Sequence, residues 1–214
     1  MAKGKFIVFE GPEGSGKSSC LNYLRERFSN RNNVIFTREP GGTKVGEEIR
    51  AVLMDKNNKN MSVLTELFLF CAARAEHVEN LIMPALESKN HVISDRFDAS
   101  TVAYQIFGRN RHEFSEIFNR INYLAKSGLE PDLTIYLDVD PSVGILRKRK
   151  SADGLITRFD EEEMEFHTRV RRGFLQQYHE SKRYKKNWRL IDTTRKKEKE
   201  VKGEVLKIIT ETLN

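Results

Sequence analysis

Long apolar runs are missing from this 214-residue sequence, and so are Pro/Gly/Ser-rich linkers and internal repeats. A membrane span needs about 20 consecutive apolar residues, and a secretory leader needs a longer apolar core than the few residues between Lys5 and Glu10. The expectation is a soluble, cytoplasmic protein with no membrane partner. Cysteine is scarce: Cys20 and Cys71 are the whole complement. They are too few for a disulfide framework and lack metal-ligand spacing, which points to a reducing compartment. With no linker, residues 1–214 read as a single domain. Charge of one sign is only mildly in excess, 37 Lys and Arg against 31 Asp and Glu. That balance suits nucleic acid, an anionic surface or small phosphorylated ligands. The tract Lys196-Lys197-Glu198-Lys199-Glu200 interleaves its acids, however, and reads as a solvated helix face, so no nucleic-acid partner is expected. With 38% hydrophobic and 32% charged residues, the chain can build a core under a heavily charged surface.

What is present is an alternation. Short apolar runs at Lys5–Phe9, Asn33–Thr37, His91–Ser94, Leu133–Asp138 and Arg189–Ile191 have the pattern of strands buried on both faces. Between them lie segments with helical spacing: Leu21, Leu24 and Phe28; Leu64, Leu67, Phe68 and Cys71, extending toward Leu86; and Phe114, Ile117, Phe118, Ile121 and Leu124. Strands alternating with helices predict an α/β fold with a parallel sheet covered on both sides.

Gly11-Pro12-Glu13-Gly14-Ser15-Gly16-Lys17-Ser18 fits G-x-x-x-x-G-K-[ST] at every fixed position, after a buried strand and before an amphipathic helix. Glycines let such a loop wrap a phosphate chain, with backbone N–H groups and the helix N-terminus facing the oxygens. The phosphate site is expected to run from Gly11 through Ser19. Lys17 would reach the β- and γ-phosphates from an exposed position, and Ser18 would take a place on Mg²⁺. The base-reading Asn-Lys-x-Asp element of a switch GTPase is absent after the strand ending at Asp138, where Val139-Asp140-Pro141 stands instead. The length leaves little room for motor machinery. A small-molecule kinase using ATP is the expectation.

Arg38 and Arg96 each directly follow a predicted strand, where open α/β sheets place their ligands, and both are fixed-charge forks suited to a dianionic monophosphate. Asp95 can hold Mg²⁺ or its waters, or pair with Arg96. Glu39 is a supporting carboxylate or only a helix-start charge. Three segments containing these residues, Thr37-Arg38-Glu39-Pro40-Gly41-Gly42-Thr43, Phe70-Cys71-Ala72-Ala73-Arg74 and Asp95-Arg96-Phe97-Asp98-Ala99-Ser100-Thr101-Val102-Ala103-Tyr104-Gln105, resemble the thymidylate kinases when taken with the phosphate loop. The resemblance runs from the first strand to the C-terminal helix. It implies a P-loop kinase fold with a five-stranded parallel sheet, transfer of the ATP γ-phosphoryl group to dTMP, Mg²⁺ dependence and a homodimer.

It also implies roles. Phe70 stacks on thymine, where composition alone reads ordinary packing. Arg74 hydrogen-bonds the base, Thr101 and Gln105 contact it, and Ser100 belongs to the same motif. Tyr104 lies against the sugar, Arg50 joins Arg38 and Arg96 at the monophosphate, and Glu13 acts near the transferred phosphate unless it merely neutralises Lys17. Unlike some relatives, the phosphate loop carries no arginine. Arg147, Arg149 and Arg158, flanking Ser151-Ala152-Asp153-Gly154, resemble the bacterial type whose mobile lid (about 147–158) supplies the cation, with the choice among the three open. Asp192-Thr193-Thr194-Arg195 is an adenine-side loop or a plain turn. The rivals are a deoxynucleoside kinase, which needs a base at the acceptor site where paired arginines stand, and a nucleotide-binding module without catalysis, against which Lys17, Ser18 and Asp95 speak.

Overall fold

Five short strands form one parallel sheet in the computed structural model, which describes residues 3–150 and 157–213. They are β1 (Phe6–Glu10), β2 (Val34–Arg38), β3 (His91–Asp95), β4 (Leu133–Asp138) and β5 (Trp188–Asp192), in the order β2-β3-β1-β4-β5. Strands β1 and β4 are buried along their whole length. Their unbroken apolar runs require this, because a strand covered on both faces has no solvent side on which polar residues could alternate. Phe9 pairs with Asp95 on one side and Ile135 on the other. The winding reverses at β1, with β2 and β3 to one side and β4 and β5 to the other, which opens a crevice beyond the strands' C-terminal ends.

The helices are α1 (Lys17–Arg27), α2 (Lys44–Met54), α3 (Val63–His77), α4 (Met83–Glu87), α5 (Asp98–Thr101), α6 (Ser115–Ala125), α7 (Pro141–Lys150), α8 (Met164–Arg183) and α9 (Glu198–Leu213). Leu21 and Leu24 of α1 and Val205 and Ile209 of α9 pack on Ile7, Phe9, Ile93, Ile135 and Leu137. Phe6, Val8 and Val92 are covered by Val78, Ile82 and Leu86. Phe166, Val170 and Phe174 of α8 close over Ala103, Tyr104 and Tyr136.

Two features depart from simple helical periodicity. The helix begun at α3 passes through a π-helical stretch, Val78–Ile82, before α4, and a second one, Val102–Gly108, follows α5 and carries Tyr104 and Gln105. Such stretches recur at functional sites because the wider turn re-aims side chains. The apolar face of α6 is only partly core: Phe118 is buried, but Ile117 and Leu124 are exposed, the latter at 74%. Periodicity reveals an apolar face without saying what covers it.

Candidate active site

A cavity of about 590 Å³ crosses the C-terminal ends of the strands. Arg38, Arg50, Phe70, Tyr104 and Gln105 line it on the β2–β3 side, and Arg147, Thr193, Lys196 and Val201 line it on the β4–β5 side, with Glu13 to Cys20 along its floor. The phosphate loop is built against α7. A Cβ on Gly14, whose φ is +68°, would lie 2.0 Å from the Gly144 carbonyl oxygen, and one on Gly144 would lie 2.4 Å from that of Glu13. Only glycine at both positions lets the two backbones touch. No side chain caps the start of α1, so its first amides are available to an anion, as the motif predicts.

Lys17 is 7% exposed, not displayed to solvent as its sequence position suggests. Its Nζ donates to the carbonyls of Gly11 (2.8 Å) and Pro12 (3.1 Å) and reaches Ser15 Oγ (3.4 Å). Burial, reinforced by the Arg96 charge, pulls its pKa down to about 8 despite Glu13.

Arg96 has a φ of 73°, a left-handed conformation that costs free energy for a non-glycine residue and concentrates at functional sites. Its amide donates to Phe9 O at 2.8 Å. Its guanidinium donates to Glu13 Oε2 (2.7 Å), Gly11 O (2.9 Å), Ser100 Oγ (3.0 Å) and Tyr104 OH (3.1 Å) and lies over the Tyr104 ring. Burial disfavours the Arg96 cation, but Glu13 with Tyr104 and Asp95 outweighs it and raises the pKa. Burial likewise works to raise Glu13, and the Arg96 and Lys17 charges overcome it, holding the carboxyl below its ordinary range. Glu13 is thus the partner of Arg96 first, and of Lys17 only through space. Asp95 does not pair with Arg96; its Oδ1 is buried with no hydrogen-bond partner among the described residues. Arg38 is exposed and bound to Glu47 (2.7 Å), while Arg50, half-buried, donates to Pro40 O (3.0 Å).

Glu10 ends β1 and is fully buried, a feature that sequence reasoning passed over although a carboxylate closing an apolar strand was visible there. It accepts from Phe97 N (2.9 Å), Ser100 N (3.2 Å) and Ser100 Oγ (2.6 Å). Desolvation nevertheless raises its pKa to about 7 against the pull of Arg96. The folded state therefore binds more protons than the unfolded chain between pH 4.5 and about 7, and Glu10 subtracts stability as pH rises through that window. Glu10→Gln should remove this slope: the gap in melting temperature between variant and wild type should shift in the variant's favour from pH 5 to pH 7.5. Parallel melting curves across that range would show the account of Glu10 to be mistaken.

Several predicted contacts lie behind the cavity wall. Arg74, buried, donates to Glu39 Oε2 (3.0 Å), Asn122 Oδ1 (2.9 Å), Thr101 Oγ1 (2.9 Å) and Phe97 O (3.3 Å). Arg74 and Thr101, each 1% exposed and hydrogen-bonded to one another, lie directly behind the lining residue Glu39. Glu39 is no helix-start charge: it is buried between Arg74 and His77, whose Nε2 shares a hydrogen bond with Thr37 Oγ1 at 2.7 Å.

The lid arginines separate. Ser151-Ala152-Asp153-Gly154 lie outside the described residues. Arg147 lines the cavity and donates to Thr193 O (2.9 Å) and Thr194 O (3.1 Å), tying α7 to the loop after β5. Thr193 of that loop is part of the wall, and Lys196 and Glu198 line the cavity while remaining exposed, in keeping with a solvated face. Arg149 is exposed. Arg158 is not a solvated lid residue at all: it is 4% exposed, paired with Glu66 at 2.5 Å and bonded to Leu53 O at 2.5 Å. Met54, Thr157, Phe159 and Asp160 also line the cavity. Nothing in their types or spacing distinguishes them, since only the folded chain brings them there.

A family model described as thymidylate kinase matches residues 9–205. A thymidylate kinase of Limosilactobacillus reuteri is 41% identical over 199 residues, covering 92% of this chain and 91% of that protein. One of Enterococcus faecalis is 44% identical over 175 residues, covering 81% and 82%. The crystal structure of thymidylate kinase from Ehrlichia chaffeensis matches with a TM-score of 0.75 at 33% identity, covering 97% of this chain and 99% of that one.

Proposed function

The chain belongs to the thymidylate kinase family and transfers a phosphoryl group from ATP to dTMP, and we propose that it does so with ATP on the loop Gly11–Ser19 and dTMP between Phe70 and the arginines 38, 50 and 96. The observation that carries this reading is one continuous cavity joining the phosphate loop to Phe70, Arg38 and Arg96. The acceptor oxygen already belongs to a phosphate anion, so no strong base is needed; the chain brings two anionic groups together and offsets their repulsion. Lys17 lies against the reacting phosphates. Arg96, held by Glu13 and Tyr104, presents a fixed cation to the monophosphate, and Arg38 and Arg50 approach it from the β2 side.

Mg²⁺ fits the site, because the unpartnered Asp95 Oδ1 lies at the end of β3, near the Lys17 that opens α1, and lines the same cavity as Ser18. Ser18 and Asp95 would hold it, and when bound it neutralises charge on the phosphate chain. Few protein ligands are required, since this ion usually keeps waters and substrate oxygens.

A homodimer is supported by α3 and α6, which pack together and leave Phe68, Ile117 and Leu124 exposed. A reducing, cytoplasmic setting agrees with Cys20 and Cys71, both free and buried. No helix of the described residues is long and apolar enough to cross a membrane.

Phe70 offers the sharpest check of the acceptor end. Its ring is half-buried, lines the cavity and lies 6.3 Å from that of Phe159. Base–aromatic stacking is worth about 1–3 kcal/mol, so Phe70→Ala should weaken dTMP binding roughly ten- to a hundredfold and leave ATP binding near wild type. Titrations of both ligands, with melts alongside, measure this. An early melt with undiminished dTMP affinity would make Phe70 a core residue.

A further inference from the structure

Glu66 lies in α3, one turn before Phe70, and is buried beneath the cavity wall. Three side chains converge on it. Gln105 Nε2 donates to Oε1 at 2.8 Å, Arg109 approaches both oxygens at 3.2–3.3 Å, and Arg158 Nη1 pairs with Oε2 at 2.5 Å. A carboxylate only accepts hydrogen bonds, whereas a glutamine amide has one accepting and one donating end. Contact with Glu66 therefore dictates the sense of the Gln105 amide: its nitrogen faces the carboxylate and its oxygen faces away. That oxygen is buried and has no hydrogen-bond partner among the described residues, although Gln105, 1% exposed, lines the cavity with Phe70 and Tyr104. A buried acceptor left unpaired in the protein is costly unless a ligand completes it.

We propose that Glu66 is a positioning residue that sets the polarity of the base pocket, turning the acceptor end of Gln105 toward the nucleobase. The proposal rests on the placement of the base beside Phe70 given above. Thymine and uracil carry an N–H at ring position 3 and satisfy that oxygen. Cytosine carries a lone pair there, so a 4-amino pyrimidine sets acceptor against acceptor. Sites that hydrogen-bond their substrate discriminate strongly, because the wrong partner leaves buried polar groups unpaired.

The test is the ratio of kcat/KM for dTMP to that for dCMP. In wild type it should be on the order of ten thousand. Glu66→Gln provides a donor as well as an acceptor, so the Gln105 amide is free to turn over, and the ratio should fall at least about tenfold while KM for ATP holds. A merely structural Glu66 would lower both substrates in proportion and leave the ratio alone, which would overturn the proposal. The exchange Glu66→Gln/Gln105→Glu keeps the local charge and gives position 105 acceptors at both ends, so its ratio should return to within a few-fold of wild type. Should the single variant not fold, the exchange decides: a wild-type-like ratio upholds the proposal, and a collapsed ratio overturns it. Wild-type protein inert toward dTMP would overturn the underlying placement as well as the proposal.

Discussion

Replacing Lys17 by alanine is expected to reduce phosphoryl transfer by at least about a thousandfold and to leave the fold intact. Cations at a transferring phosphoryl group contribute on the order of 10³ or more to turnover, because charge on its oxygens is met in a site where little water competes. The structural cost is small by comparison. The Gly11 carbonyl that accepts from Lys17 also accepts from Arg96, and that of Pro12 also accepts from Ser15 N, so neither is orphaned. Burial disfavours the Lys17 cation, with a pKa of about 8, so its removal also relieves a desolvation cost below that pH. A net change within about 1 kcal/mol corresponds to roughly 2–4 °C in a chain of this size. Turnover and thermal melting on the same preparation check both halves. A folded variant with near-normal turnover would remove ATP from the loop.

The second large effect concerns the arginines beyond the phosphate loop. With no arginine in that loop, charge developing on the transferred group is met by Lys17 and by cations brought from α7 and the segment after it. Arg147→Ala or Arg149→Ala, or both, should cut kcat about a hundredfold with little change in dTMP affinity, since a contact made only as the site closes acts on the transition state. Arg158→Ala should behave differently. It leaves Glu66 buried with Arg109 and Gln105 but without its closest cation, and breaking a buried pair costs about 3 kcal/mol. A melting temperature lower by roughly 6–12 °C is the expected result. Steady-state kinetics, dTMP titrations and melts on the three single variants test this. Near-wild-type kcat in both the Arg147 and Arg149 variants would refute the compensation by these arginines, and an unshifted melt for Arg158→Ala would contradict its buried pairing.

The contrast among these arginines shows what the sequence could and could not convey. Strands β1 and β4, buried on both faces, leave an unmistakable run of apolar residues, and the edge strands β2 and β5, only partly buried, still carry short ones, so all five were legible to within a residue or two at either end. The phosphate loop was legible because its glycines and Lys17 answer local demands of backbone and charge. Long-range pairings leave no such trace. Glu66 and Arg158 are 92 positions apart, and nothing near either announces that they meet. Helical spacing set Arg74 on the same face as Phe70, but only the packing of α6 and of the chain after β2 and after β3 directs it to Asn122, Glu39 and Thr101. The π-helical stretch at Val102–Gly108 was hidden because the residue that widens the turn has no type of its own. Even α6, correctly expected as a helix, carried Leu124 to the surface, since an apolar stripe does not name its partner.

The most direct measurement is ADP release by the full-length wild-type protein, with ATP and Mg²⁺, across a panel of nucleoside monophosphates and the corresponding nucleosides. Release should be fast with dTMP, far slower with purine monophosphates and dCMP, and absent with thymidine, because the paired arginines require a phosphate on the acceptor. Release that is independent of the acceptor, or that prefers thymidine to dTMP, would contradict the assignment of the Arg38–Arg96 end of the cavity to a nucleoside monophosphate.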